Sequence, residues 1–137
     1  MTPLLIRADA GGMTGTGHVM RMIALAQAYR RRGGDVTIAT VNCPPLLAER
    51  VKTLGINHHP LDTETPGSPG DAQLTAALSG QLKTSWLVLD GYHFSYDYQR
   101  TFRDLSVKIL CVDDHGYSPR WCCDALLNQN LDANLRT

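Results

Sequence analysis

The sequence predicts an α/β protein with a doubly wound, mostly parallel sheet. Short apolar runs recur along its 137 residues, and stretches of helical periodicity separate them. The runs Leu87-Val88-Leu89 and Ile109-Leu110-Cys111-Val112 are almost unbroken, as strands covered on both faces must be. The first run, Leu4-Leu5-Ile6, breaks into Arg7-Ala8-Asp9 and a glycine-rich loop, and a helix pattern starts at His18. In open sheets of this class the loop after a strand is where ligands bind.

Composition sets the bounds. Apolar residues make up 43% of the chain, which argues for a packed core and against disorder. With 13 basic and 13 acidic residues, the net charge of zero offers no general attraction to nucleic acid or to an anionic membrane. No apolar run approaches the roughly 20 residues that span a bilayer, and the start lacks a signal-peptide layout. A cytoplasmic protein is expected. The four cysteines, at 43, 111, 122 and 123, have no CxxC spacing, so neither a zinc site nor a disulfide framework is predicted.

The elements follow in order. The first helix is expected over His18–Arg32, because Val19, Met22, Ile23 and Ala26 fall on one stripe. Arg30 to Arg32 suit its C-terminal dipole end, and Gly33 suits the position just past it. Asp35–Val41 is β-branched and reads as strand two. Pro44-Pro45 stops it and opens a second helix, Leu46–Leu54, closed by Gly55. Ile56–Leu61 is a short third strand on which His58 and His59 face opposite ways, against a shared metal. Asp62–Asp71 reads as a mobile Pro/Gly/Ser-rich loop, followed by a third helix over Ala72–Lys83. Ser85–Asp90, a fourth helix at Tyr96–Leu105, Lys108–Val112 and Ala125–Leu127 complete the alternation.

Polar residues collect at the carboxyl ends of the strands: Asp9, then Asp90 with Tyr92, then Asp113 with Asp114. Acids there also serve as caps and turn formers, and Asp113 fits that role best. The Gly15-Thr16-Gly17 loop lacks the third small residue of a dinucleotide fingerprint, since Met20 stands in its place. No acid ends strand two, where Val41-Asn42 stands, and no Gly-Lys-Ser/Thr occurs. No cofactor and no metal are predicted. His18 is delivered to a helix N-terminus, where the dipole disfavours imidazolium and leaves a ring able to accept a proton. On spacing alone two readings stand level: a general base, and a polar residue bonding the backbone.

The string IRADAGGMTGTGHVMR resembles the opening of the UDP-sugar hydrolases of pseudaminic acid biosynthesis and their spore-coat-polysaccharide relatives. Its matching residues are Arg7, Asp9, Gly15, Gly17, His18 and Arg21. Leu87-Val88-Leu89-Asp90, Val112-Asp113-Asp114 and the run Cys123 to Asn130 resemble later family motifs, so the likeness covers nearly the whole chain. Where the family usually has Asp-x-Tyr-Gly, this chain reads Asp90-Gly91-Tyr92-His93-Phe94.

The resemblance implies a Rossmann-like domain like the N-terminal half of a GT-B fold. It also implies His18 as the base that activates water against the anomeric carbon, with UDP leaving under inversion. Arg7, Asp9, Gly15, Thr16, Gly17, Arg21, Asp90 and Tyr92 are then the expected substrate-binding residues. Residues 1–130 would form the sugar-side domain. Residues 131–137 would begin the connection to a C-terminal nucleotide-binding domain that these 137 residues lack, and the surface so exposed favours a homodimer. A glycosyltransferase acceptor-side domain and a non-catalytic sugar-binding or docking module are the alternatives.

Overall fold

In the computed structural model, which describes residues 2–11, 17–113 and 120–128, strands and helices alternate as predicted. The strands are β1 (Leu4–Ala8), β2 (Val36–Thr40), β3 (Asn57–Pro60), β4 (Trp86–Asp90), β5 (Lys108–Val112) and β6 (Ala125–Leu127). The helices are α1 (Gly17–Arg31), α2 (Pro45–Thr53), α3 (Pro69–Leu82) and α4 (Tyr96–Arg100). All five strand pairings are parallel, in the order β3-β2-β1-β4-β5-β6. This is the doubly wound order, and it reverses direction at β1. Leu4 pairs with Val36 on one side and with Trp86 on the other, so β1 and β4 flank the reversal.

Alternation along β1 sorts its side chains between two cores. Leu4, Ile6 and Ala8 join the core that holds Val19, Met22, Ile23 and Ala26 of α1, the stripe read from the sequence. Leu5 joins the opposite core, with Leu87, Leu89, Phe94, Tyr98 and Phe102. Arg7 shares a strand face with Leu5 and is fully buried. A charged strand residue inside a core needs a partner, and it finds that partner on α3.

Two boundaries differ from the expectation by more than one residue. Helix α3 begins at Pro69, within the stretch expected to be a loop through Asp71. The Ser68 hydroxyl accepts the Asp71 N–H at 3.1 Å and caps the helix, while Pro69 occupies its first turn. Asp71 is therefore a buried residue of the first helical turn and no part of a mobile loop. Helix α4 ends at Arg100 instead of Leu105. Beyond it the N–H groups of Phe102, Arg103 and Leu105 reach back three residues each, so the chain continues as tight turns.

All four cysteines are free thiols, and burial pushes that of Cys111 well above its ordinary range. Among the described residues no helix is long and apolar enough to cross a membrane, and no group of three His, Cys, Asp or Glu is placed to hold a metal. Leu126 and Leu127, on edge strand β6, are each 47% exposed.

Leu89 has no exposed surface and lies in the middle of the second core. Leu89→Ala should lower unfolding free energy by about 2–5 kcal/mol, read from urea denaturation followed by circular dichroism. An unchanged midpoint would contradict this placement.

Candidate active site

The carboxyl ends of β1 and β4 lie side by side at the point where strand order reverses, which is where open α/β sheets form their ligand crevice. Helix α1 leads away from this edge. His18 and Arg21 stand three residues apart on it, so they project from one face. Both reach Asp90, the last residue of β4, which is completely buried.

His18 Nδ1 stands 2.8 Å from Asp90 Oδ1. Arg21 grips the same carboxylate side-on, with Nε donating to Oδ2 at 2.5 Å and Nη2 donating to Oδ1. A carboxylate only accepts, so Nδ1 carries the hydrogen, and in the neutral ring Nε2 keeps a lone pair. Nε2 makes no hydrogen bond to the described residues, while His18 is only 6% exposed. Among the described residues Nε2 is therefore left without a hydrogen-bond partner. Tyr92 meets the imidazole edge-on, with ring centroids 5.0 Å apart at 80°, and is 45% exposed. An imidazole fixed through one nitrogen by a buried carboxylate, with the other nitrogen open, is the arrangement of a general base.

Behind this pair lies a second charged cluster. The Arg7 guanidinium donates to both oxygens of Asp71, from Nε at 3.1 Å and Nη2 at 2.7 Å. Its Nη1 meets Asp9 at 2.9 Å and the Ala8 carbonyl at 3.0 Å. Asp71 also accepts from the Gly67 N–H, the Thr75 hydroxyl and the Tyr98 hydroxyl. Asp9 accepts the N–H groups of Val41 and Asn42 at 2.7 and 2.9 Å, and His93 Nε2 donates to its other oxygen at 3.0 Å.

Protonation in this cluster is set by its partners. Burial alone would raise the pKa of Asp9, but hydrogen bonds from His93 and Arg7 outweigh it and hold the carboxyl far below the ordinary range. Asp71 is likewise held low, burial being outweighed by Arg7. Burial opposes the charge on Arg7, yet Asp71 and Asp9 hold its pKa above the usual value.

The predicted site residues thus divide. His18, Arg21, Asp90 and Tyr92 come together at the switch point. Gly17 opens α1, and a Cβ added there would meet nothing within 4 Å. Gly15 and Thr16 lie outside the described residues. Arg7 and Asp9 do not meet the expectation of direct substrate contact. At 0% and 2% exposure, with their polar atoms engaged by protein, they support the crevice from within. Asp90 is also fully buried, and its carboxylate oxygens are taken by His18 and Arg21.

Asp71, Tyr98 and His93 are not among the site residues expected from the sequence. The Ser68-Pro69 helix start was the available signal for Asp71. The pairing of His93 with Asp9 has no local signal. A cavity of about 680 Å³ lies elsewhere, at the amino ends of β5 and β6, lined by Arg103, Lys108, Arg120 and Trp121 among others. It contains none of the His18 cluster.

No family model matches the chain. It is 30% identical over 131 residues to UDP-2,4-diacetamido-2,4,6-trideoxy-beta-L-altropyranose hydrolase of Campylobacter jejuni, a match covering 95% of this chain and 42% of that protein. The chain therefore spans less than half the length of this relative.

Among solved structures, Acinetobacter baumannii MurG aligns over 82% of this chain and 35% of its own, at 17% identity and TM-score 0.60. A glycosyltransferase from Rickettsia africae aligns over 82% and 29%, at 15% identity and TM-score 0.63. A ugt transferase from Siraitia grosvenorii, solved with UDP, aligns over 85% and 29%, at 17% identity and TM-score 0.61. At such identities the structures show the fold alone, the Rossmann-like domain of GT-B glycosyltransferases.

Asp71 and Asp9 are both depressed in the folded state, so the stability they contribute is complete above the unfolded carboxylate value of about 3.9 and is lost as pH falls below it. Asp71→Asn should lower stability near neutral pH by about 3–5 kcal/mol, because Arg7 loses its main buried partner. It should also flatten the decline between about pH 5 and pH 3 in urea titrations. An acid limb identical to the unmodified chain's would contradict this. In sequence the chain is similar to 42% of the length of the Campylobacter jejuni UDP-sugar hydrolase, and in fold it is a Rossmann-like domain of the kind found in GT-B glycosyltransferases.

Proposed function

We propose that the chain is the sugar-side part of a nucleotide-sugar hydrolase, in which His18 activates water against the anomeric carbon of a UDP-linked N-acylated deoxyamino sugar. The observation that carries this reading is the His18 Nδ1 to Asp90 Oδ1 hydrogen bond, with Nε2 left open at the switch point. Water gives its proton to Nε2 as its oxygen bonds to the anomeric carbon. The bond from that carbon to the phosphate oxygen breaks, and UDP leaves on the opposite face, so configuration inverts. Asp90 holds the ring in the useful tautomer and balances the imidazolium that forms. Arg21 holds Asp90 in place. Tyr92 and the Gly15-Thr16-Gly17 loop border the sugar.

The UDP moiety is assigned to a second, C-terminal nucleotide-binding domain, with residues 131–137 beginning the connection. The substrate named for the Campylobacter jejuni relative supports a role in the synthesis of a nonulosonic acid, pseudaminic acid, or of a surface polysaccharide such as a spore coat. A nucleotide-activated precursor of that kind is used in the cytoplasm.

The test is UDP release from UDP-2,4-diacetamido-2,4,6-trideoxy-β-L-altropyranose, by the chain alone and by the chain joined to the remainder of the relative's length. Release should be weak alone and strong when joined. His18→Ala and Asp90→Asn should each reduce it by at least about 10²-fold, with circular dichroism unchanged. Full activity in His18→Ala would end the assignment. Release that depends on an added sugar acceptor would move the reaction to glycosyl transfer, with the same base acting on a hydroxyl. Saturable binding of the free sugar without release would leave a binding module.

A further inference from the structure

The loop that follows β4 carries Tyr92 to His18, yet Tyr92 is half exposed and does not fix that loop by its own burial. The next residue, His93, meets three separate parts of the molecule. Its Nε2 donates to Asp9 Oδ2 at 3.0 Å, and Asp9 is in turn held by Arg7 and by two backbone N–H groups after β2. Its ring lies against Phe94, with centroids 4.1 Å apart, and beneath the backbone of Gly91. A Cβ at Gly91 would stand 2.7 Å from His93 Cε1 and 3.0 Å from Phe94 Cε2, so only glycine lets the backbone rest on these rings. Its carbonyl oxygen faces Gly67, which has φ +79° and where a Cβ would collide with that oxygen.

Gly91 lies between the residue that orients His18 and the residue that packs on it. Whatever fixes Gly91 therefore fixes Asp90 and Tyr92 together. We infer that His93 is a positioning residue: anchored on Asp9, it supports the Asp90-Gly91-Tyr92 segment from below and sets where Tyr92 stands against His18. The kinetic consequence rests on the proposed role of His18, and the geometric one does not.

The experiment is the proton NMR of the His18 ring in the full chain, with Tyr92→Ala as the reference for a lost ring-current contribution. His93→Phe keeps an aromatic ring under Gly91 but cannot donate to Asp9. It should move the His18 ring protons at least halfway toward their Tyr92→Ala positions. His93→Ala should move them as far or farther. His93→Gln, whose amide can donate to Asp9, should restore the native shifts. A merely structural role would lower the melting temperature without displacing these signals in a folded variant. If His93→Ala fails to fold, the comparison of the Phe and Gln variants decides the matter.

Native His18 shifts in folded His93→Phe would overturn the inference, whatever the chain's activity. In the joined enzyme, kcat/KM for UDP release should fall by about tenfold or more in His93→Phe and recover in His93→Gln. Displaced shifts with no UDP release from the unmodified joined enzyme would sustain the role of His93 and end the hydrolase reading.

Discussion

A guanidinium sits inside the second core, and much of the structure around the crevice is organised by the need to neutralise it. Arg7 belongs to a strand covered on both faces, so its charge cannot reach water. Burying such an ion without partners costs many kcal/mol, and removing one of its partners recreates much of that cost. The requirement fixes Asp71 in the first turn of α3 and Asp9 at the end of β1, and it draws in the Tyr98 and Thr75 hydroxyls. Three chain segments, the end of β1, helix α3 and helix α4, are tied to one cation.

Two aspartates at adjacent strand ends therefore do different work. Asp9 is satisfied from below and from the side, by Arg7, two backbone N–H groups and His93, and it has nothing left for a ligand. Asp90 is satisfied from α1, by Arg21 and by the ring whose tautomer it selects. The division follows from pleat and register. Ala8 pairs with Asp90, so Asp9 falls one residue beyond its neighbour and turns into the loops. One carboxylate ties the loops beside the crevice together, and the other holds the His18 ring.

The alternation of elements was legible in the sequence because it rests on local periodicity, and the apolar stripe of α1 and the runs of β4 and β5 are local signals. His18 and Asp90 were each singled out, one by its glycine loop and the other by its place after an apolar strand. Their hydrogen bond was not legible, since it depends on β1 lying beside β4, a tertiary fact. Arg7 and Asp9 were assigned to the ligand because burial cannot be read from a motif. Asp71 was hidden by loop-like composition, although Ser68 and Pro69 are good helix-starting residues. His93 stands out in the sequence only as a departure after Tyr92, and its pairing with Asp9 gives no signal, because that partner is distant in sequence and adjacent only after folding.

The reversal of strand order at β1 also bears on how the chain acquires its structure. β1 leaves the ribosome first, but one of its two neighbours is β4, which emerges only after three helices and two strands have been made. Until then one edge of β1 is open. Arg7 has Asp9 close by in the chain, but Asp71, which takes two of its donors, arrives only with α3. A sheet closed by such distant pairings folds more slowly than a bundle of local contacts, because each non-local pairing must first close a long loop. The charge that rigidifies the finished crevice thus also makes early collapse around β1 unfavourable, and it ties burial of the first strand to synthesis of the third helix.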